Sequence, residues 1–460
     1  MTTESNSKLR VRRVTVRGLF DVYDHVIDLN LDERITIIHG ANGIGKTAIL
    51  RMIHGLFQLR FSSLRSTPYA EFGIDFDDGS SIRVRKLASK EEGTGDLNIA
   101  LQRTDGRILE DPITAPRGIA DFAFPSRMID ELIPDLVRAG PETWRRLPSG
   151  EILTLEEVIE NHSELLAPRY SGSRIDSESV ARTTPEWLRE FVQGLNVRFI
   201  ETQRLVAPAR PTIKSRYDSS GVLSPAVARY SSDLAALIQR TQAEYAAVSQ
   251  RLDRSFPMRV VQRPGSVAVS VDQFKSRLAS LEDKRKRLQA AGVLDRKADG
   301  DLSLPVPDDI DAETARVLAV YADDVEEKLN VFDSVVDSIE LLRKFIEDHF
   351  AGKTLRIDKE RGFTLVSTRT EQELNPSQLS SGEQHQLVLI NELLFRTKPN
   401  TLFLIDEPEL SLHVDWQLQF LEDLQSVIAI SPFDVLLATH SPMIINERWD
   451  LTVSLEEHRC

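Results

Sequence analysis

Residues 40–47 read GANGIGKT, a full G-x-x-x-x-G-K-T loop, set between the apolar run ITIIHG and the helix-like run AILRMIHGLF. No other feature constrains the chain as tightly, because such a loop works only where a buried strand ends and a helix begins. Its glycines let the backbone wrap around phosphate groups, and the amides at the helix start face negative charge. In this pattern Asn42, Gly43 and Gly45 shape the cradle, and Lys46 reaches the β and γ phosphates of a nucleotide. The Thr47 hydroxyl is placed to hold magnesium.

A loop of this kind needs a carboxylate at the end of a neighbouring strand, and TLFLIDEP at 401–408 supplies it. Four apolar residues before Asp406 predict a buried parallel strand that delivers Asp406 to the metal shell. Glu407 follows at once and is placed to polarise or deprotonate an attacking water. Acidic residues at a strand end also serve as turn formers, so the pairing with the glycine loop is what gives them this meaning. DVLLATHSP at 434–442 predicts a further buried strand, after which His440 either holds a γ-phosphate or water or fills a structural role. LSSGEQ at 379–384 precedes the apolar run HQLVLINELLF and has two readings. Ser380 and Glu383 fit a capping box, and the same serines and glycine fit a phosphate-binding signature.

At 460 residues the chain is expected to form one large domain with an insertion, or two to three domains. A net charge of -14 argues against a general nucleic-acid coat. Cys460 is the only cysteine, so a disulfide within one chain and a cysteine zinc site are both ruled out, in keeping with a reducing cytoplasm. The start, MTTESNSKLRVRR, has no apolar signal core, and no window nears 18 consecutive apolar residues; neither secretion nor membrane spanning is expected.

Along the chain, strands are expected at VRRVTVRGLF, HVIDLN and ITIIHG, and again over 69–103, with a hairpin turning at Asp77, Asp78 and Gly79. Helices are expected at 151–166 and 184–194, a strand at 197–205, and a linker or long loop over 206–230. The spacing of Leu234, Ile238, Thr241, Tyr245, Val248 and Leu252 predicts a helix. Phe274, Leu278, Leu281, Arg285 and Leu288 predict a second, and Tyr321, Val325, Phe332, Ile339 and Leu342 a third, from about 311 to 350. Together they make a helical insertion or short coiled coil. The strand pair TLRID and GFTLVST comes next, and a last helix is expected from about 413 to 428. The basic run KRKR at 284–287 reads as a solvated helix face.

The order GANGIGKT, LSSGEQ, TLFLIDEP, ATHSP resembles the ATP-binding-cassette (ABC) ATPases. The resemblance implies ATP and Mg2+ as ligands, with Thr47, Asp406 and Gln203 at the metal, Gln203 being the Q-loop residue in FIETQRL. It assigns Glu407 and His440 to catalysis. It also implies that Ser380, supported by Ser381 and Gly382, binds the γ-phosphate held by the glycine loop of another subunit. Two chains would then pack head to tail as a homodimer or larger oligomer, closed by ATP and released by hydrolysis. The fold expected is α/β: a split ABC-type P-loop ATPase cassette with a helical or short coiled-coil insertion. Its N-terminal part would span 1–205, the linker and insertion 206–350, and its C-terminal part 351–460.

The split resembles chromosome-maintenance (SMC) and double-strand-break-repair ATPases, and DEPELSLH resembles the branch of overcoming-lysogenization-defect (OLD) nucleases and antiphage ATPases. His413 stands where a transporter cassette carries an aspartate six residues after its catalytic glutamate. The insertion is short for SMC arms, and with 20 residues after His440 no OLD-type TOPRIM nuclease is expected. With FIETQRL, LSSGEQHQLVL and HSPMIINERWDLTV, the layout is most similar to the AriA family of the PARIS antiphage system, the PtuA family of Septu being the near alternative. The first implies a sensor scaffold that holds a separately encoded TOPRIM-type, AriB-like nuclease effector and releases it on meeting a phage trigger protein. The second implies an HNH nuclease partner. A rival reading is a DNA-clamping repair ATPase, with Arg204, Arg210, Lys214, Arg216 and Arg229 along the DNA. A transport motor would need a membrane partner, which the split cassette disfavours.

Overall fold

The computed structural model describes residues 9–87, 96–113, 129, 133, 136–140, 143–146, 152–155, 158, 184–200, 224–262, 271–294, 312–375, 378–398 and 400–455. The chain divides into two units, Met1–Pro211 with Thr397–Cys460, and Thr212–Arg396. This spatial division cuts the chain differently from motif order, since 351–396 groups with the helical segment.

The first unit is built on a five-stranded sheet in the order Asn196–Ile200, Thr401–Asp406, Asp434–Ala438, Ile35–His39, Thr452–Ser454, with every pair parallel. Thr401–Asp406 and Asp434–Ala438 are buried throughout, as strands covered on both faces must be. A six-stranded antiparallel sheet runs Tyr23–Asp28, Val11–Leu19, Glu71–Phe76, Ser81–Lys86, Leu97–Gln102, Ile108–Ile113. One apolar cluster joins Val14 and Val16 of that sheet, Ile49 and Ile53 of helix Lys46–Phe57, and Leu404 and Leu436 of the parallel sheet. Each such side chain contributes about 1.5–3 kcal/mol on burial, so the loop-bearing helix is anchored along its length. Arg10 ties the sheets further, its Nε and Nη2 donating to the two Asp434 oxygens at 2.8 and 2.6 Å.

The hairpin turns where expected, with Gly79 at φ +89° and the Ser80 N–H donating to Asp78 Oδ1 at 2.7 Å. Elsewhere the structure departs from the expected elements. Residues Ile152–Thr154 form a strand, not the start of a helix, because they pair antiparallel with Thr143–Arg146, seven to eleven residues back, and most of 155–166 lies outside the described residues. The expected strand at 197–205 is Asn196–Ile200, and its remainder lies outside the described residues.

In the second unit, helix Ser224–Gln262 takes in residues assigned above to a linker. Pro225 sits in its first turn, where a missing N–H costs nothing. Val271–Ala290 follows, and the third expected helix is two, Ala312–Asn330 and Asp333–His349. The break seats Phe332, 1% exposed, against Tyr245 with ring centroids 5.3 Å apart. The basic run is solvated in part: Lys286 and Arg287 are exposed, but Arg285 is buried, Lys284 pairs with Asp333 at 2.6 Å, and Arg287 pairs with Asp337 and Glu340 at 2.6 and 2.5 Å. Strands Lys353–Asp358, Gly362–Ser367 and Glu373–Leu374 form a three-stranded sheet, and helix Ser381–Phe395 closes the unit. Gly362 has φ +84°, and a Cβ there would lie 1.7 Å from the Ser231 carbonyl oxygen, so no other residue fits.

Candidate nucleotide site

Three neighbouring parallel strands end on one edge of the central sheet. Ile35–His39 leads into the glycine loop, Thr401–Asp406 into Glu407, and Asp434–Ala438, between them, into His440. Sequence-distant groups are thereby brought together. Thr47 Oγ1 donates to Asp406 Oδ1 at 3.1 Å. Lys46 Nζ donates to the carbonyls of Gly40 and Ala41 at 2.9 and 3.1 Å and lies 3.4 Å from His440 Nδ1. His440 Nε2 lies 3.6 Å from Glu407 Oε1.

The Lys46 ammonium is buried, which pulls its pKa below 10.5, while Glu407, Asp406 and Glu409 pull against that shift. Glu407 sits at φ +46°, a left-handed conformation that costs a non-glycine residue on the order of 1–3 kcal/mol and is concentrated at working sites. Its N–H donates to the Ala438 carbonyl at 2.8 Å, which sets the start of the turn. In the glycine loop, Gly43 has φ +83° with open space on its Cβ side. Gly45 has φ +104°, and a Cβ there would come within 2.3 Å of Leu19 Cδ2. Asn42 is exposed beside them.

Three residues missed by the sequence reading support this edge. Buried His25 places Nε2 2.9 Å from the Ile44 carbonyl and stacks on Tyr23. Glu409 Oε1 accepts the His440 N–H at 2.7 Å, and Gln417 Oε1 accepts the Ser441 hydroxyl at 2.6 Å. The one signal available was the second glutamate of DEPEL.

The Ser380 motif lies in the second unit, at the mouth of helix Ser381–Phe395. Its capping box is complete, with Ser380 Oγ accepting from the Glu383 N–H at 3.3 Å and Glu383 Oε2 accepting from the Ser380 N–H at 2.8 Å. Glu383 is buried and also takes Lys353 Nζ at 2.6 Å. Ser380 and Ser381 are exposed and Gly382 half-buried. Gln203, Arg204, Arg210, Lys214 and Arg216 lie outside the described residues, and Arg229 is exposed on helix Ser224–Gln262. His413 precedes helix Val414–Ile430, its Nδ1 3.3 Å from Asp415. Among the described residues, no helix is long and apolar enough to cross a membrane.

A glycine loop, an acidic strand end and a histidine turn on adjacent parallel strands, in a chain interrupted by a helical unit, define an ABC/SMC-like P-loop ATPase fold. The chain belongs to the family described as "AAA domain, putative AbiEii toxin, Type IV TA system", whose model matches residues 202–446, more than half of its length. The glycine loop lies before that span. Among characterised proteins, the chain is similar to the DNA replication and repair protein RecF of Pseudomonas putida (strain W619) and of Pseudomonas entomophila (strain L48). Each is 25% identical over 182 residues, which is 39% of this chain and 46% of the relative. The chain thus spans less than half the length of these relatives. Among solved structures, the Smc head domain of Pyrococcus furiosus, crystallised with an extended coiled coil and the C-terminal domain of ScpA, aligns over 98% of this chain and 94% of its own. Identity is 12% and the TM-score 0.35, too low to carry an argument.

Proposed function

We propose that this protein binds ATP with Mg2+ and hydrolyses it, and that it works in the cytoplasm as the sensor and scaffold of an antiphage defence system. Convergence carries the nucleotide reading: Lys46, the Thr47–Asp406 pair and the Glu407–His440 pair meet at one sheet edge. The Thr47 hydroxyl and Asp406 carboxylate are hard oxygen donors, already held together, and suit magnesium; Gln203 is the further ligand proposed. Bound there, the ion supplies positive charge at the phosphate oxygens. Lys46 exchanges the carbonyls of Gly40 and Ala41 for phosphate oxygens. Glu407 orients and deprotonates the attacking water, and His440, beside it, holds the water or the γ-phosphate. Asn42, Gly43 and Gly45 line the cradle. Ser380, Ser381 and Gly382 complete the site of a second copy, making the active form at least a homodimer.

The defence role is supported by the family's description, which names a toxin of a toxin–antitoxin system, and by the DEPELSLH motif. In this reading the protein holds a separately encoded, TOPRIM-type (AriB-like) nuclease and frees it when a phage protein is sensed; a PtuA-like pairing with an HNH nuclease is the variant. The similarity to RecF favours a second reading, a DNA-clamping repair ATPase.

Affinity purification of wild type and Glu407→Gln, from cells carrying the neighbouring genes, tests both readings alongside ATP turnover. Glu407→Gln is expected to keep ATP while losing turnover about 100-fold or more, and Lys46→Ala to lose nucleotide binding. A stoichiometric nuclease chain supports the scaffold role. Salt-labile DNA without such a chain supports the repair reading. Normal turnover by Glu407→Gln would refute the catalytic assignment.

A further inference from the structure

The turn that carries His440 is gripped by two side chains outside the nucleotide machinery. The His440 backbone N–H donates to Glu409 Oε1 at 2.7 Å, and the Ser441 hydroxyl donates to Gln417 Oε1 at 2.6 Å. Gln417 Nε2 reaches back to the carbonyls of Leu412 and Glu409 at 3.1 and 3.4 Å. These bonds close a ring between two turns: the 3-10 segment Pro408–Ser411 after the acidic pair, and the residues after strand Asp434–Ala438. A backbone N–H bound to an ionised acceptor is held more tightly than one bound to a neutral group. The His440 ring on this anchored turn lies 3.6 Å from Glu407 Oε1 and 3.4 Å from Lys46 Nζ.

We infer that Glu409 is a positioning residue for the hydrolytic step: with Gln417 it fixes the backbone at His440 and so the distance from the imidazole to Glu407. The inference rests on the ATPase reading above. Glu409 acts through His440 and makes no bond to the reacting atoms. Motion of either turn is transmitted to the other.

The test is steady-state ATP turnover and binding of a fluorescent ATP analogue by the full chain. Glu409→Ala is expected to lower kcat by about 10- to 100-fold, with KM and analogue affinity within about twofold of wild type. Glu409→Gln keeps an acceptor oxygen and should recover to within about fivefold. In a His440→Ala background, Glu409→Ala should lower kcat no further, because coupled residues are not additive. A multiplicative loss in the double variant, or a loss confined to KM, overturns the inference. Hydrogen exchange of the segment 434–444 reads the clamp without turnover, and Glu409→Ala should speed exchange at the His440 amide about tenfold or more. Unchanged exchange overturns the clamp. Wild type that binds the analogue without hydrolysing it overturns the ATPase reading instead, and exchange alone then decides the clamp.

Discussion

Removing the Ser380 hydroxyl separates two roles at the mouth of helix Ser381–Phe395. Its Oγ accepts from the Glu383 N–H at 3.3 Å and donates to Glu383 Oε2 at 3.1 Å. Loss of an N-cap costs about 1 kcal/mol, and a hydrogen bond to a charged acceptor contributes about 1.5–3 kcal/mol. Both contacts are long, so Ser380→Ala is expected to destabilise the second unit by about 2 kcal/mol. Glu383 keeps Lys353 Nζ at 2.6 Å and the Ser380 N–H at 2.8 Å, so the loss stays below that of an unpaired buried carboxylate. For a unit of this size the midpoint should fall by roughly 4–8 °C in calorimetry. Ser380→Asn retains a capping acceptor and should restore most of that fall. It lacks the hydroxyl proposed to meet the neighbouring subunit's γ-phosphate, so ATP turnover should stay depressed by about tenfold or more. An unchanged midpoint in Ser380→Ala would refute the cap. Turnover that returns together with the midpoint in Ser380→Asn would show that the serine is a cap and nothing else.

Ser380→Arg should abolish turnover by itself, and mixing it with Lys46→Ala should recover part, since a mixed dimer holds one intact site; no recovery in the mixture sinks the shared-site reading. Burial pushes the Glu383 carboxyl up, but the Lys353 and Ser380 hydrogen bonds outweigh it and leave it below 4.5. Its stabilisation is therefore complete above the unfolded value and lost as pH falls through the folded one. Urea midpoints measured from pH 7 down to 3 should drop more in wild type than in Glu383→Gln, and parallel curves would contradict this. Phe332→Ala should cost about 3–5 kcal/mol by opening a cavity at the helix break, read as a lower urea midpoint; a change under about 1 kcal/mol would mean the site collapses around the gap.

The strand-end loops were legible in the chain because a phosphate site would demand particular residue types there, and the structure brings Lys46, Thr47, Asp406, Glu407 and His440 to one sheet edge. The break before Asp333 was hidden because Phe332 lies on the same apolar seam as Tyr321 and Leu342, so helical spacing runs through it. The ion pairs of KRKR were hidden because its acidic partners, Asp333, Asp337 and Glu340, lie about 50 residues away, beyond the reach of local pattern reading. Glu409 and Gln417 escaped notice for the same reason, their partners being brought close only by strand order. Ser380 carries two readings in the sequence, and the hydrogen bonds bear on one of them. The cap is now visible in its hydrogen bonds, and a cap uses the same small hydroxyl residue at a helix mouth that a phosphate site would use.

The order of the parallel sheet also sets a clock for biosynthesis. Strand Ile35–His39 is among the first made, yet its sheet neighbours are Asp434–Ala438 and Thr452–Ser454. With about 400 residues between them and elongation at roughly 5–20 residues per second, the unpaired backbone N–H and C=O groups at its edges wait on the order of 20–80 s for a partner. During that interval the antiparallel sheet, complete by Ile113 and sharing a core with helix Lys46–Phe57, is the available shelter on the growing chain. A chain released before residue 434 is made would carry Ile35–His39 with neither of its sheet neighbours, an apolar strand open at both edges.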